Sequence, residues 1–142
     1  MRSKSSLFLI ELIIAVLFFA LASTVCIQMF VRGHMINISN SEKEHAIMLT
    51  QSLAESYEAT DGDVNAMAKL FDDAIIAGDS INFCYDSDWN AINEDEAVYK
   101  VSLTSAIDGN FSNASIVTVN LSSGEEIYTL DTKIYRNMRK GQ

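Results

Sequence analysis

The chain contains no proline, only two cysteines and only six glycines. Without proline, no helix in it carries the usual cause of a sharp kink. Cys26 lies within an apolar run and Cys84 in a polar half of the chain. They are not expected to pair, so a disulfide framework is excluded, and no zinc-ligand spacing is present. None of the glycines forms a phosphate-binding loop. Basic residues are also scarce, 10 against 19 acidic ones, for a net charge of −9. Nucleic-acid binding needs clustered Lys and Arg to meet phosphate, so no nucleic-acid partner is expected. The two histidines, His34 and His45, have no nucleophile beside them. Catalysis therefore has no visible machinery, and the chain is read as a non-enzyme.

What the chain does have is one long apolar run, Leu7 to Val31, interrupted by a single charge at Glu11. From Leu12 to Val31 no charge occurs, and at ~1.5 Å per helical residue that length matches a hydrocarbon layer of about 30 Å. Arg2 and Lys4 precede the run, which favours a cytoplasmic N-terminus and an extracytoplasmic C-terminal part. Glu11 is the only acid before Glu42. A carboxylate inside a membrane helix costs on the order of 2.5–3.5 kcal/mol, so it is expected either to have a partner or to reach water at the boundary. Ala15, Ala22 and Cys26 follow Glu11 at helical spacing and make a small-residue stripe where another helix can approach.

A short basic leader followed by Ser6-Leu7-Phe8-Leu9-Ile10-Glu11-Leu12 and a long apolar helix resembles the precursor signal of type IV pilins and type II secretion pseudopilins. The resemblance covers about the first quarter of the chain at motif level. It implies cutting by a prepilin peptidase between Ser6 and Leu7, N-methylation of Leu7, and an assembly role for Glu11, paired with the Leu7 ammonium of a neighbouring subunit. Ser6 stands where the family usually has glycine, Leu7 where it usually has phenylalanine, and the late proline of many members is missing. Implied partners are other pilin or pseudopilin subunits, the peptidase, a membrane assembly platform and membrane lipid. On this basis residues 1–6 are a leader, 7–31 a transmembrane helix and 32–142 an extracytoplasmic pilin-like domain in a bacterial membrane. The alternative is a single-pass or secreted binding module that does not polymerise. Ala20-Leu21-Ala22, which has the form of an ordinary signal-peptidase site, is the feature that would release a secreted form.

The remainder predicts an α+β fold. Ala46, Leu49, Leu53 and Tyr57 recur at helical spacing, so the first helix is expected to run to about residue 59, with Gly33 and the polar Asn37–Ser41 stretch loosening its middle. Asp61-Gly62 ends it. A second helix is expected over 64–76, capped by Asp63 and closed by Gly78. The period then changes to two, with strands expected at about 81–86, 97–105, 114–121 and 126–135. In these, Ile81, Phe83 and Tyr85, then Tyr99, Val101 and Leu103, then Val117, Val119 and Leu121, then Tyr128, Leu130 and Ile134, with Thr132 in the same row, form the apolar rows. An antiparallel meander of this kind has one face to bury, and the amphipathic half of the first helix is the expected cover. That is also the pilin architecture.

Between the first two strands, Asp86, Asp88 and Asn90 place oxygens at alternate positions, as at the start of a calcium loop. The EF-hand pattern then fails at Ala91 and Ala97, although Asn93, Glu94, Asp95 and Glu96 offer further oxygens. A solvated acidic loop without a cofactor is the preferred assignment, and calcium the alternative. Some pseudopilins resemble this in holding calcium in a loop of their sheet region. Cys84 reads as a half-buried structural cysteine. Lys133, Arg136, Arg139 and Lys140 make the C-terminus basic, a solvated tail or a contact for an acidic face of another subunit.

Overall fold

The structure, a computed structural model, describes residues 2–136. Helix α1 spans Arg2–Ala59 and α2 spans Val64–Ala68. Strands β1 (Ile75–Ala77), β2 (Ser80–Tyr85), β3 (Tyr99–Asp108), β4 (Phe111–Asn120) and β5 (Glu125–Tyr135) follow. The strands form one sheet in chain order, and every neighbouring pair is antiparallel. The fold is α+β. Contacts divide the chain into two compact units, the first ending at Ser41 and the second beginning at Glu42.

Helix α1 stays α-helical through Gly33 and Asn37–Ser41. The expected loosening is absent because nothing there removes a backbone donor or forces another conformation. In the second unit the helix buries Ala46, Thr50, Leu53 and Tyr57 at intervals of three and four. Thr50 enters the core satisfied, since its hydroxyl donates to the Ala46 carbonyl at 2.9 Å.

The end of α1 has a specific chemistry. The Gly62 amide donates to the Tyr57 carbonyl and the Asp61 amide to the Glu58 carbonyl, both at 3.0 Å. This is the paired 6→1 and 5→2 closure of a Schellman motif, with Asp61 in the left-handed region at φ 52°. Tyr57 Oη lies 2.6 Å from Ser105 Oγ and 2.5 Å from Ser112 Oγ, tying the last helical turn to β3 and β4. Gly62, at φ +76°, passes so close that a Cβ there would stand 2.7 Å from Ser112 Oγ. Only glycine fits at that position.

The second helix is shorter than expected. Asp63 Oδ1 does cap it, accepting from the Asn65 and Ala66 amides at 2.9 and 3.2 Å. It nevertheless ends at Ala68, and Ile75–Ala77 is a strand paired with β2. Gly78, read as a helix stop, is instead the first residue of the two-residue β1–β2 turn, at φ +64°. A glycine after an apolar stretch suits either element. Two β-branched isoleucines and a paired neighbour decide for strand.

The core consists of Leu53, Tyr57, Met67, Ile81, Phe83, Val101, Leu103 and Ile116, with Ile134 packed against it. The rows expected on β2 and β3 are therefore inward. On β4 the expected face is inverted. Ser112, Ala114, Ile116 and Thr118 are fully buried, whereas Val117 and Val119 are half-buried and Leu121 is 42% exposed. Register is the cause: Leu103 pairs with Ile116 and Val101 with Thr118 across the tight turn at Gly109. Shifting by one residue to bury the valines would turn every other side chain over. Thr118 is left with its hydroxyl buried and unpartnered.

Candidate functional site

Ser6, Leu7 and Glu11 lie on consecutive turns of α1, all exposed. This helix is long and apolar enough to cross a membrane, and its apolar window has no buried residue. Leu7 is 64% exposed and Phe19 76% exposed. The run is apolar all round rather than on one stripe, the pattern of a helix meant for a non-aqueous environment. Its polar side chains are mostly closed onto the backbone. Ser23 Oγ donates to the Phe19 carbonyl at 2.8 Å, and Thr24 Oγ1 to the Ala20 carbonyl at 3.0 Å. Glu11 has no such closure. The one ion pair among the described residues is Lys100–Glu94, and no described side chain gives the Glu11 carboxylate a counter-charge. Ala15, Ala22 and Cys26 are exposed or nearly so along the same helix.

The loop after β2 holds the calcium candidates. Asp86 Oδ1 accepts from the Asp88 amide at 2.8 Å and the Asn90 amide at 2.9 Å. The Asn90 side-chain amide also reaches Asp86, at 3.3 Å from Oδ2. The Asn90 backbone bond, assisted by its side chain and the Asp88 amide, holds the Asp86 carboxyl below the ordinary range despite some desolvation. Asp86 is thus engaged in shaping its own turn. Among the described residues no three His, Cys, Asp or Glu side chains converge on a point where a metal would sit. Glu94 pairs with Lys100 at 2.7 Å, while Asp88 and Asn90 are exposed.

What that turn positions is Trp89, the single tryptophan of the chain, which adopts φ +63°. Its ring stacks on Tyr99 with centroids 4.1 Å apart and on His45 with centroids 5.2 Å apart. Tyr99 Oη donates to Glu42 Oε1 at 2.7 Å. Burial first, then the hydrogen bond and charge of Glu42, push the Tyr99 phenol up to about 12. The loop's acidic side chains from Asp88 to Glu96 are exposed, while its Trp89 forms an aromatic clamp on the start of the second unit's helix. Sequence reasoning missed Trp89, Tyr99, His45 and Glu42 as a group. The usable signal was a lone tryptophan within a polar loop, a residue rarely left in water.

Cys84 is fully buried rather than half-buried. Burial first, and then Glu94, push its thiol up against the opposing effect of Lys100, so it is a poor nucleophile. Of the basic C-terminal residues, Lys133 places Nζ 4.3 Å from the Phe111 ring centroid. The Arg136 amide donates to the Asn110 carbonyl at 2.8 Å. Arg139 and Lys140 lie outside the described residues. Comparison of this chain with protein-family models, with curated proteins and with solved structures finds no match.

Proposed function

We propose that this chain is a minor pilin or pseudopilin subunit of a type IV pilus, type II secretion or DNA-uptake filament, structural rather than catalytic. One observation carries the proposal: an exposed apolar helix bearing a single carboxylate, Glu11, continues as the helix that covers an antiparallel sheet. The long apolar helix and β-domain are compatible with a pilin-like subunit, and the Ser6-Leu7…Glu11 pattern supplies the finer assignment.

On this proposal a prepilin peptidase cuts between Ser6 and Leu7 and leaves the helix as the membrane anchor, N-terminus in the cytoplasm and the domain outside. The helix stores the subunit in lipid until an assembly platform extracts it. Glu11 in a bundle of such helices requires a cation, and the new Leu7 ammonium of a neighbour provides it. The pair sets the axial register between subunits.

The mature N-terminus tests this directly. Intact mass and N-terminal peptide mapping, with and without co-expressed prepilin peptidase, should give a methylated chain beginning at Leu7 only with the enzyme. A chain beginning at Ser23, or an uncut chain under both conditions, overturns the proposal in favour of a secreted or anchored binding module. In a host with the full assembly machinery, Glu11→Ala should leave membrane insertion intact and lower recovery in sheared filaments at least about tenfold, the loss expected for a deleted buried ion pair. Normal filament entry by that variant removes the role given to Glu11.

A further inference from the structure

Strand β5 forms one margin of the sheet. It pairs with β4 along one edge, and among the described residues no strand pairs with the other. At the opposite margin β1 has 3 residues, whereas β5 has 11. A short edge offers little template to another strand, but a long one without proline presents a row of unpaired amides and carbonyls. On β5 these belong to Thr129, Asp131, Lys133 and Tyr135. The Arg136 amide bonds to Asn110 at the start of β4, and in an antiparallel ladder alternate residues direct their groups to the other side. The core also thins at this margin. On the row facing α1, Val101, Leu103, Ala114 and Ile116 are buried, while Leu130 and Ile134 on β5 are half-buried.

The charges along this part of the chain are sorted. From Glu125 onward every acid, Glu125, Glu126 and Asp131, precedes Thr132, and every base, Lys133, Arg136, Arg139 and Lys140, follows it. A second copy running antiparallel therefore lays its basic half along the acidic half of the first. Residues directly opposed in such a pair share a face of the sheet. With Asp131 or Lys133 on the two-fold axis, like charges would stand opposite each other, which is destabilising. With Thr132 on the axis, Asp131 faces Lys133 and Leu130 faces Ile134, once on each side. An axis nearer the start of β5 meets the irregularity at Ile127, where Thr118 pairs with Tyr128 but Val119 with Glu126. Asp131 and Lys133 are both exposed, and no described side chain forms an ion pair with either. Lys133 Nζ rests over the Phe111 ring, from which a flexible side chain can swing.

We propose that β5 pairs with β5 of a second copy of this chain, antiparallel about a two-fold axis at Thr132, so that the two sheets continue as one. The interface is isologous: the same edge serves both copies. Thr129, Asp131, Lys133 and Tyr135 of the two chains supply about eight backbone hydrogen bonds, the strand-addition mode of recognition. The Asp131–Lys133 pairs fix the register, and the Leu130–Ile134 contacts close the half-buried margin of each core. The pairing belongs to the sheet and does not depend on whether α1 enters a filament.

The test uses the full-length chain in detergent micelles, with Cys26→Ser removing the exposed thiol and the buried Cys84 left in place. Under copper–phenanthroline oxidation, Thr132→Cys should give disulfide-linked dimers, because the two residues on the axis lie within disulfide reach. Thr129→Cys, which faces Tyr135 of the second copy, should give few. In the Thr132→Cys background, Asp131→Lys alone and Lys133→Asp alone each create like-charge pairs and should lower the dimer yield at least about tenfold. Both substitutions together restore opposite charges and should restore the dimer, which also shows that neither single change acts by unfolding the sheet. Absence of Thr132→Cys dimers overturns the proposal. So does an equal yield from Thr129→Cys, as random collision in the micelle or association through α1 would give, or a yield that ignores the charge exchange.

Discussion

Leu17 and Leu53 stand on the same continuous helix, yet one is 58% exposed and the other 3%. In the first unit the apolar residues surround the helix and are exposed among the described residues. In the second, one stripe, Ala46, Thr50, Leu53 and Tyr57, is buried against a sheet, while Met48 off that stripe is 62% exposed. The difference shows that helix formation and burial are separate requirements. Backbone hydrogen bonding and the absence of proline carry α1 through both environments. Only its second part packs on a protein face, and the first is long and apolar enough to cross a membrane.

The largest effect that sharpens this contrast comes from truncating an apolar side chain on each side of it. Phe83→Ala should lower the unfolding free energy of the sheet-containing unit by about 3–5 kcal/mol, the usual cost of emptying a buried aromatic site. Leu17→Ala should change it by less than about 0.5 kcal/mol, as at sites without packing partners. Denaturant titrations of the full chain in micelles check both. A comparable loss from Leu17→Ala would break the contrast.

Next in size is Tyr57→Phe, which strands the hydroxyls of Ser105 and Ser112 at the end of the helix. A loss of about 1–3 kcal/mol is expected in the same titration, because a buried group loses its partner. Thr118→Val should act in the opposite direction. It replaces an unpartnered buried hydroxyl with a methyl of the same shape, and a gain of about 1 kcal/mol is expected. A loss there would mean that the hydroxyl has a partner in solution.

The smallest effect concerns the Trp89 turn. Because the folded Asp86 carboxyl lies below its ordinary value, its contribution is fully present above the unfolded value of about 3.9 and is lost as pH falls through the folded one. Fluorescence of Trp89 should therefore report loosening of the turn only in that acid window. Asp86→Asn should flatten the profile. An unchanged acid transition in the variant would remove Asp86 as its source.

Much of this architecture was legible in the sequence. The helix to Ala59 followed from apolar spacing, and its stop from Asp61-Gly62, because both are local signals. Strands β2 and β3 declared their inward rows by strict alternation. Strand β4 did not, since Ile116 and Val117 are adjacent and either parity offers apolar residues. The choice fell to the hairpin register with β3. The 75–77 segment was ambiguous for a related reason: a short apolar run before glycine fits helix or strand until a pairing partner is known.

The candidate residues divide in the same way. Ser6, Leu7 and Glu11 could be picked out from order and chemistry alone, because a charge within an apolar run is visible in one dimension. The Trp89 clamp could not, because its members come from segments distant in sequence. By itself the sequence determined the apolar helix, its single carboxylate, the turns and the class of fold, all set by interactions between near neighbours. Only the tertiary structure decided which face of β4 is buried and that Trp89 stacks on both Tyr99 and His45. Strand register and long-range packing settle those matters, and no local propensity encodes them.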